Sequence, residues 1–198
     1  MAGSAKLRCV EIEPAHWPAI EALFGDSGAC GGCWCMWWRV PRGGALWEKT
    51  KGAPARRAFR RLVAAGEAKG MLAFAGDEPV GWCAIGPRSD FPRVERVRAL
   101  AGAGADGVWS INCFFIARGW RGRGAARALL AAAVRACARH GASVVEGYPV
   151  KPSPGGRPQP GAFVWTGPLN IFEERGFRAV REGDQASKTL VRLRVRAR

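Results

Sequence analysis

The stretch from Val108 to Tyr148 constrains the fold more than any other part of the chain. Val108-Trp109-Ser110-Ile111-Asn112-Cys113-Phe114-Phe115-Ile116 is apolar, aromatic and β-branched, the make-up of a buried strand. Arg118-Gly119-Trp120-Arg121-Gly122-Arg123-Gly124 follows as a basic glycine turn. Ala126, Leu129, Leu130, Ala133, Val134 and Cys137 then recur at helical spacing, with Arg127, Arg135 and Arg139 on the opposite face. Gly141 ends that helix, and Arg139 and His140 fall in its last turn, where the helix dipole favours positive charge. Val144 to Tyr148 reads as a second buried strand. The order is strand, glycine turn, helix, strand.

The turn is where chemistry is expected. The first turn of a helix carries backbone N–H groups without partners, and the dipole adds positive potential there. Gly122 and Gly124 remove side chains at that point, so an anion can approach the backbone. Arg118, Arg121 and Arg123 add charge beside it, and a diphosphate is the natural guest. A dinucleotide turn needs a third glycine, but counting from Gly122 that position is Arg127. The Gly-Lys-Ser/Thr of a nucleotide triphosphate loop is also missing. The turn therefore matches neither an NAD loop nor an ATP loop.

Arg121-Gly122-Arg123-Gly124-Ala125-Ala126 resembles the signature of the GNAT superfamily of acyl-CoA-dependent N-acyltransferases: Gln or Arg, two residues, Gly, one residue, then Gly or Ala. The resemblance extends to the hairpin before the central strand and to the late Phe172-Glu173-Glu174-Arg175-Gly176-Phe177. It implies an α/β (α+β) fold, a mixed central sheet of about seven strands with helices on both faces. Two central strands would splay, with pantetheine in the gap. Phe114 and Ile116, flanking Phe115, would offer backbone groups to the thioester and pantetheine. The amides of Gly122, Arg123, Gly124, Ala125 and Ala126, next to Arg121, would hold the diphosphate. Acetyl-CoA would be the co-substrate, with no metal. The activity implied is transfer of acetyl to an amine, on a small molecule or a protein, by direct attack in a ternary complex. Two alternatives stand beside it: a non-catalytic acyl-CoA sensor on the same fold, and a basic nucleic-acid-binding module.

Charge bears on the last of these. Lys plus Arg total 31 against 16 acidic residues, a net charge of +15. That suits any polyanion, coenzyme A or nucleic acid alike. No zinc finger, helix-turn-helix or RNP motif supports nucleic acid. The 198 residues suffice for one domain spanning 1–198, with a Pro/Gly-rich loop at 151–161 inside it. No signal peptide or membrane-length apolar run is visible, and seven cysteines without an export signal suggest a reducing compartment, so a cytoplasmic protein is expected. A homodimer is compatible with the chain.

Leu7 to Glu13 should be a first strand, Trp17 to Phe24 a short helix, and Pro54 to about Ala65 a basic helix. Met71–Ala75 and Val80–Ile85 should pair across Gly76-Asp77-Glu78-Pro79. Loop and a short helix reach about Leu100. Cys30-Gly31-Gly32-Cys33-Trp34-Cys35-Met36-Trp37-Trp38 concentrates three cysteines and three tryptophans. It offers no convincing fourth zinc ligand, so the thiols are expected reduced and metal-free. Trp34, Trp37 and Trp38, with Asn112 on the central strand, are candidates for an acceptor-pocket wall. Leu169 to Arg175 should form a helix stopped by Gly176, and Phe177–Val180 and Lys188–Arg194 the last strands.

The proton-transfer groups are less orthodox. The resemblance implies a tyrosine four residues before the late Gly-Phe as acid to the leaving thiolate. Phe172 stands there, and Trp165 stands where the family often has an asparagine. Tyr148 is the only tyrosine, with Glu146 two residues earlier on the same strand face. The candidate pair is Glu146 as base and Tyr148 as acid.

Overall fold

The computed structural model describes residues 6–102, 106–151, 164–181 and 188–196. Seven strands form one mixed sheet. They are β1 (Leu7–Glu11), β2 (Lys69–Ala75), β3 (Glu78–Pro87), β4 (Val108–Ile116), β5 (Val144–Gly147), β6 (Arg178–Arg181) and β7 (Leu190–Arg194). The spatial order is β1-β2-β3-β4-β5-β7-β6, so the last strand of the chain inserts between β5 and the edge strand β6. Neighbouring strands run antiparallel except β4 and β5, which are parallel and joined by the helix from Ala125 to Arg139. This agrees with the expected α/β, GNAT-like architecture.

Helices cover both faces. α1 (Trp17–Phe24), α2 (Ala45–Thr50) and α3 (Ala53–Ala64) precede the sheet's main run; α4 (Ala125–Arg139) and α5 (Leu169–Glu174) follow. Side chains alternate across a strand, so one strand serves two cores. Met71 and Ala73 of β2, with Cys83 and Ile85 of β3, pack in the core that holds α4 and Phe172 of α5. Leu72, Phe74, Trp82 and Ala84 face the other way, into the core of Trp17, Phe24 and Phe59.

Two irregularities position the site. Ala84 lies opposite Cys113 and Ile85 opposite Ile111, which leaves Asn112 as an extra residue, a β-bulge in β4. The β4–β5 ladder runs only from Val108–Val144 to Ile111–Gly147, although β4 continues to Ile116. The parallel strands therefore part company at the bulge, and among the described residues no strand pairs with the β5-side edge of β4 beyond it.

The structure departs from the sequence expectations in places. α2 was not expected, because Ala45-Leu46-Trp47-Glu48-Lys49-Thr50 is too short to show helical periodicity. The short helix before Leu100 is a 3-10 segment, Pro92–Arg96. The cysteine–tryptophan segment is a series of turns, with left-handed backbone at Ala29, Trp34 and Cys35. Most of the expected loop at 151–161, from residue 152 on, lies outside the described residues.

Candidate active site

The uncapped start of α4 opens one end of a cavity of about 720 Å³. Gly124 is the helix N-cap, with φ +84°, and Gly122 has φ +73°. Those left-handed conformations are what require glycine, since a Cβ at either position meets nothing within 4 Å among the described residues. Among the described residues no side chain caps the helix, so its first-turn N–H groups face the cavity. Arg121, Gly122, Gly124, Ala125 and Ala126 border that space, as expected. Arg123 does not; its guanidinium lies over the Trp120 ring at 5.5 Å. Arg127 borders the cavity too, and its fork grips Glu174 at 2.6 and 2.8 Å.

The cavity continues along the free edge of β4, past Phe114, Phe115 and Ile116. The Phe114 N–H points away from β3 and donates to the Trp165 carbonyl at 2.6 Å. Backbone direction alternates along a strand, so the Ile116 N–H and C=O share that edge. Arg121 Nε donates to the Ile116 carbonyl at 3.2 Å, which ties the glycine turn to the strand end. Nothing in the sequence signalled that Trp165 would occupy the Phe114 amide. The two residues are joined by the parting of the strands, a tertiary event.

The far end is aromatic and sulfur-rich. Trp37, Trp47 and Trp165 wall it, with Cys30, Cys33 and Cys113. Trp37 meets Trp47 edge-on at 5.0 Å between centroids and Trp165 at 6.4 Å. Burial pushes the Cys33 thiol up to about 12, while the hydrogen bond that the Cys113 thiol donates to Cys35, and then burial, hold Cys113 well above its usual range. Cys35 lies deeper, accepting from Trp82 Nε1 at 3.0 Å. All seven cysteines are free, and among the described residues no three His, Cys, Asp or Glu are grouped to hold a metal.

Of the expected pocket wall, only Trp37 is in place. Trp34 is stacked on Trp17 and packed against Phe24 in the α1–α3 core, because its left-handed backbone turns the ring inward. Trp38 wedges behind the wall, between Tyr148 and Trp165, and donates to the Asn112 carbonyl at 2.8 Å. Asn112, at the bulge, is buried beneath it and off the cavity, its Nδ2 without a partner among the described residues. Trp47, Trp120, Trp165, Cys113, Arg127 and Asn170 reach the cavity and were not anticipated. Cys113 and Arg127 were close to legible, since they flank residues already singled out.

Glu146 and Tyr148 are brought together, but not at the cavity. Both are fully buried, and neither borders it. Glu146 lies opposite Ser110 of β4 and Arg192 of β7 in the ladders. Its carboxylate accepts from Arg88 Nη1, from Arg192 at 3.0 and 3.1 Å, from Ser110 at 3.3 Å and from the Tyr148 hydroxyl. Burial, and then the carboxylate beside it, push the Tyr148 phenol well above its ordinary pKa near 10. The expectation that the pair would line the cleft fails on one point: the ladder ends at Gly147, Tyr148 packs with Trp38, Phe91 and Leu100, and Glu146 is enclosed by Arg88, Ser110 and Arg192. Phe172 is also core, filling the space that Gly147 and Gly167 leave, where an added Cβ would come within 2.3 and 2.9 Å of its ring.

Lys188 sits behind the Trp165 indole, its ammonium 4.4 Å from the ring centroid and 3.2 Å from Thr166 Oγ1. Burial lowers its pKa from 10.5 to about 8. The unfolded chain therefore holds the proton more tightly between those values, so this group adds stability as pH rises from about 8 to 10.5. Lys188→Met should be more stable than wild type at pH 7, with the difference shrinking as pH climbs through that window. Urea denaturation of both proteins at several pH values measures it. A difference independent of pH would contradict the burial argument.

The likeness to known proteins follows this geometry. The model of the acetyltransferase (GNAT) family matches residues 35–150. No curated protein matches the chain in sequence. Among solved structures, the chain is similar to a PaiA N-acetyltransferase from Thermoplasma acidophilum in complex with coenzyme A, at 8% identity and TM-score 0.54, over 96% of this chain and 99% of that one. It is similar to a GCN5-related N-acetyltransferase from Kribbella flavida at 18% identity and TM-score 0.54, over 96% and 98%. A ribosomal-protein-alanine N-acetyltransferase from Brucella melitensis matches at 13% identity and TM-score 0.51, over 95% and 99%. At such identities the structures speak for the fold, and the family match covers more than half the chain. With an uncapped glycine-rich helix start feeding the gap between parting parallel strands, the chain belongs to the GNAT acetyltransferase family.

Proposed function

We propose that the protein transfers an acetyl group from acetyl-CoA to an amine by direct attack in a ternary complex. The observation that carries this reading is one continuous cavity, from the uncapped N-terminus of α4, along the β4 edge, to the Trp37–Trp47–Trp165 end. The diphosphate suits the amides of Gly122 to Ala126, with Arg121 and Arg127 beside it. Pantetheine suits the Ile116 edge. As the amine attacks, negative charge grows on the thioester oxygen, and a backbone N–H at the strand edge is a fitting donor. Phe114 supplies that donor once the Trp165 carbonyl releases it. Positioning of the two substrates in one cleft supplies much of the remaining acceleration.

Glu146 and Tyr148, the sequence candidates for base and acid, act in this proposal as positioning residues. The carboxylate bridges β4, β5 and β7 one residue before the ladder ends, so it fixes where the strands separate and hence where the Phe114 edge is presented. The sensor alternative draws on two observations, Phe172 in place of a phenol and the engaged Phe114 amide. Incubation with acetyl-CoA and a panel of amines, following free thiol and acetylated product, separates them. Thiol release that depends on the amine is expected. Tight acetyl-CoA binding without release for any amine would favour the sensor.

A further inference from the structure

The aromatic end of the cavity restricts the acceptor. We infer that the acceptor is a neutral aromatic amine, its nitrogen on or conjugated to a flat ring held among Trp37, Trp47 and Trp165. This rests on the proposed acetyl transfer.

Shape comes first. Trp37 meets both Trp47 and Trp165 edge-on rather than stacking, and all three indoles border the cavity, so its wall is made of ring faces as well as edges. Aromatic guests gain from offset or edge-to-face contact in such a site, beyond simple burial.

Charge comes second. An aromatic wall can also attract a cation. Here the rings already hold cations. Arg93 lies over Trp37 at 3.8 Å and over Trp47 at 5.9 Å, and Lys188 over Trp165 at 4.4 Å. Neither Arg93 nor Lys188 borders the cavity, so each backs its indole from outside. Arg93 is fixed there by Nε donating to the Val40 carbonyl at 3.0 Å, with Nη2 on the Arg42 carbonyl. A guanidinium or ammonium behind a ring draws on the same π density that a cationic guest would use in front, and repels it.

Protons come third. Among the described residues bordering the cavity there is no carboxylate or imidazole. The Cys33 thiol is held protonated by burial, and the Cys113 thiol by its hydrogen bond to Cys35 and then by burial. An alkylamine, with pKa about 10.4, is neutral in only about one molecule in 2,500 at pH 7. An aniline-type nitrogen delocalises its lone pair, loses its proton well below neutral pH, and arrives ready to attack. The nitrogen lone pair then adds to the thioester carbon, the C–S bond breaks as the amide forms, and the nitrogen's proton passes to the leaving thiolate. Amine plus acetyl-CoA gives acetamide plus coenzyme A, with no external base consumed.

The test compares p-toluidine with 4-methylcyclohexylamine, matched in size and differing in aromaticity and charge, at pH 7.5. Acetyl-CoA binding is measured alongside by calorimetry. A kcat/KM for the arylamine at least about tenfold higher is expected. Trp47→Ala should raise the arylamine KM by roughly tenfold and leave acetyl-CoA affinity unchanged. Equal or better use of the alkylamine overturns this inference and leaves acetyl transfer standing. Acetyl-CoA binding without turnover of either amine overturns the inference, and absence of binding overturns both it and the proposed function.

Discussion

Glu146→Gln should destabilise the protein by about 3 kcal/mol, because a buried ion pair loses its charge on one side only. Arg88 would keep a buried positive charge, with Glu95 as its remaining carboxylate at 2.6 Å, and Arg192 a half-buried one. Tyr148→Phe should cost less, about 1–2 kcal/mol, since it removes one buried hydroxyl and leaves the charges paired. Urea denaturation gives both values. The positioning role also makes a kinetic claim. In Glu146→Gln preparations that fold, the pH optimum of acetyl transfer should stay where it is in wild type. A base would behave differently: unchanged stability, a loss of about 10²–10⁴ in kcat, and an optimum moved upward, where more amine is already neutral. That second pattern would restore Glu146 to the chemistry.

Gly124→Glu should weaken acetyl-CoA binding by at least about a hundredfold while the fold persists. A carboxylate at a helix N-terminus is favourable for the helix, satisfying the same N–H groups and the same dipole that a diphosphate would use. It therefore competes with the ligand rather than unfolding the protein. The left-handed backbone at φ +84° adds a strain cost of about 1–2 kcal/mol for any side chain. Gly124→Ala carries that strain without the charge and should lose far less affinity. Calorimetry on both variants, with circular dichroism to verify folding, separates the contributions. Equal affinity in wild type and Gly124→Glu would remove the diphosphate from this turn.

The parts of the fold that were legible in the sequence are those governed by local rules. β4, the glycine turn, α4 and β5 follow from periodicity and from glycine at two left-handed positions, and the turn's relation to the cavity follows with them. α2 was hidden because six residues hold too little pattern, and the 3-10 turn at Pro92–Arg96 for the same reason. The site divided along the same line. The glycine-turn end is backbone geometry within one short segment, so the sequence already places Arg121, Gly122, Gly124, Ala125 and Ala126 together beside the cavity, while Arg123 turns away onto Trp120. The aromatic end is assembled from Trp37, Trp47 and Trp165, three separate turns and helices that only tertiary packing brings together. Adjacent tryptophans looked equivalent in sequence, yet Trp34 went to the core, Trp37 to the wall and Trp38 behind it. Residues two apart in an extended segment share a face, so Glu146 and Tyr148 do meet; which side opens to the cavity depends on where the β4–β5 ladder stops, which no local pattern encodes.

The central claim is that the start of α4 and the edge of β4 form one acyl-CoA site. Titration of the isotopically labelled protein with acetyl-CoA, followed through backbone amide resonances, tests it most directly. The amides of Gly122 to Ala126 should shift together with those of Phe114 and Ile116, saturating at a single affinity, with the Phe114 amide changing partner as Trp165 lets go. Binding that leaves all of these amides unmoved, or no binding at millimolar acetyl-CoA, would contradict the account.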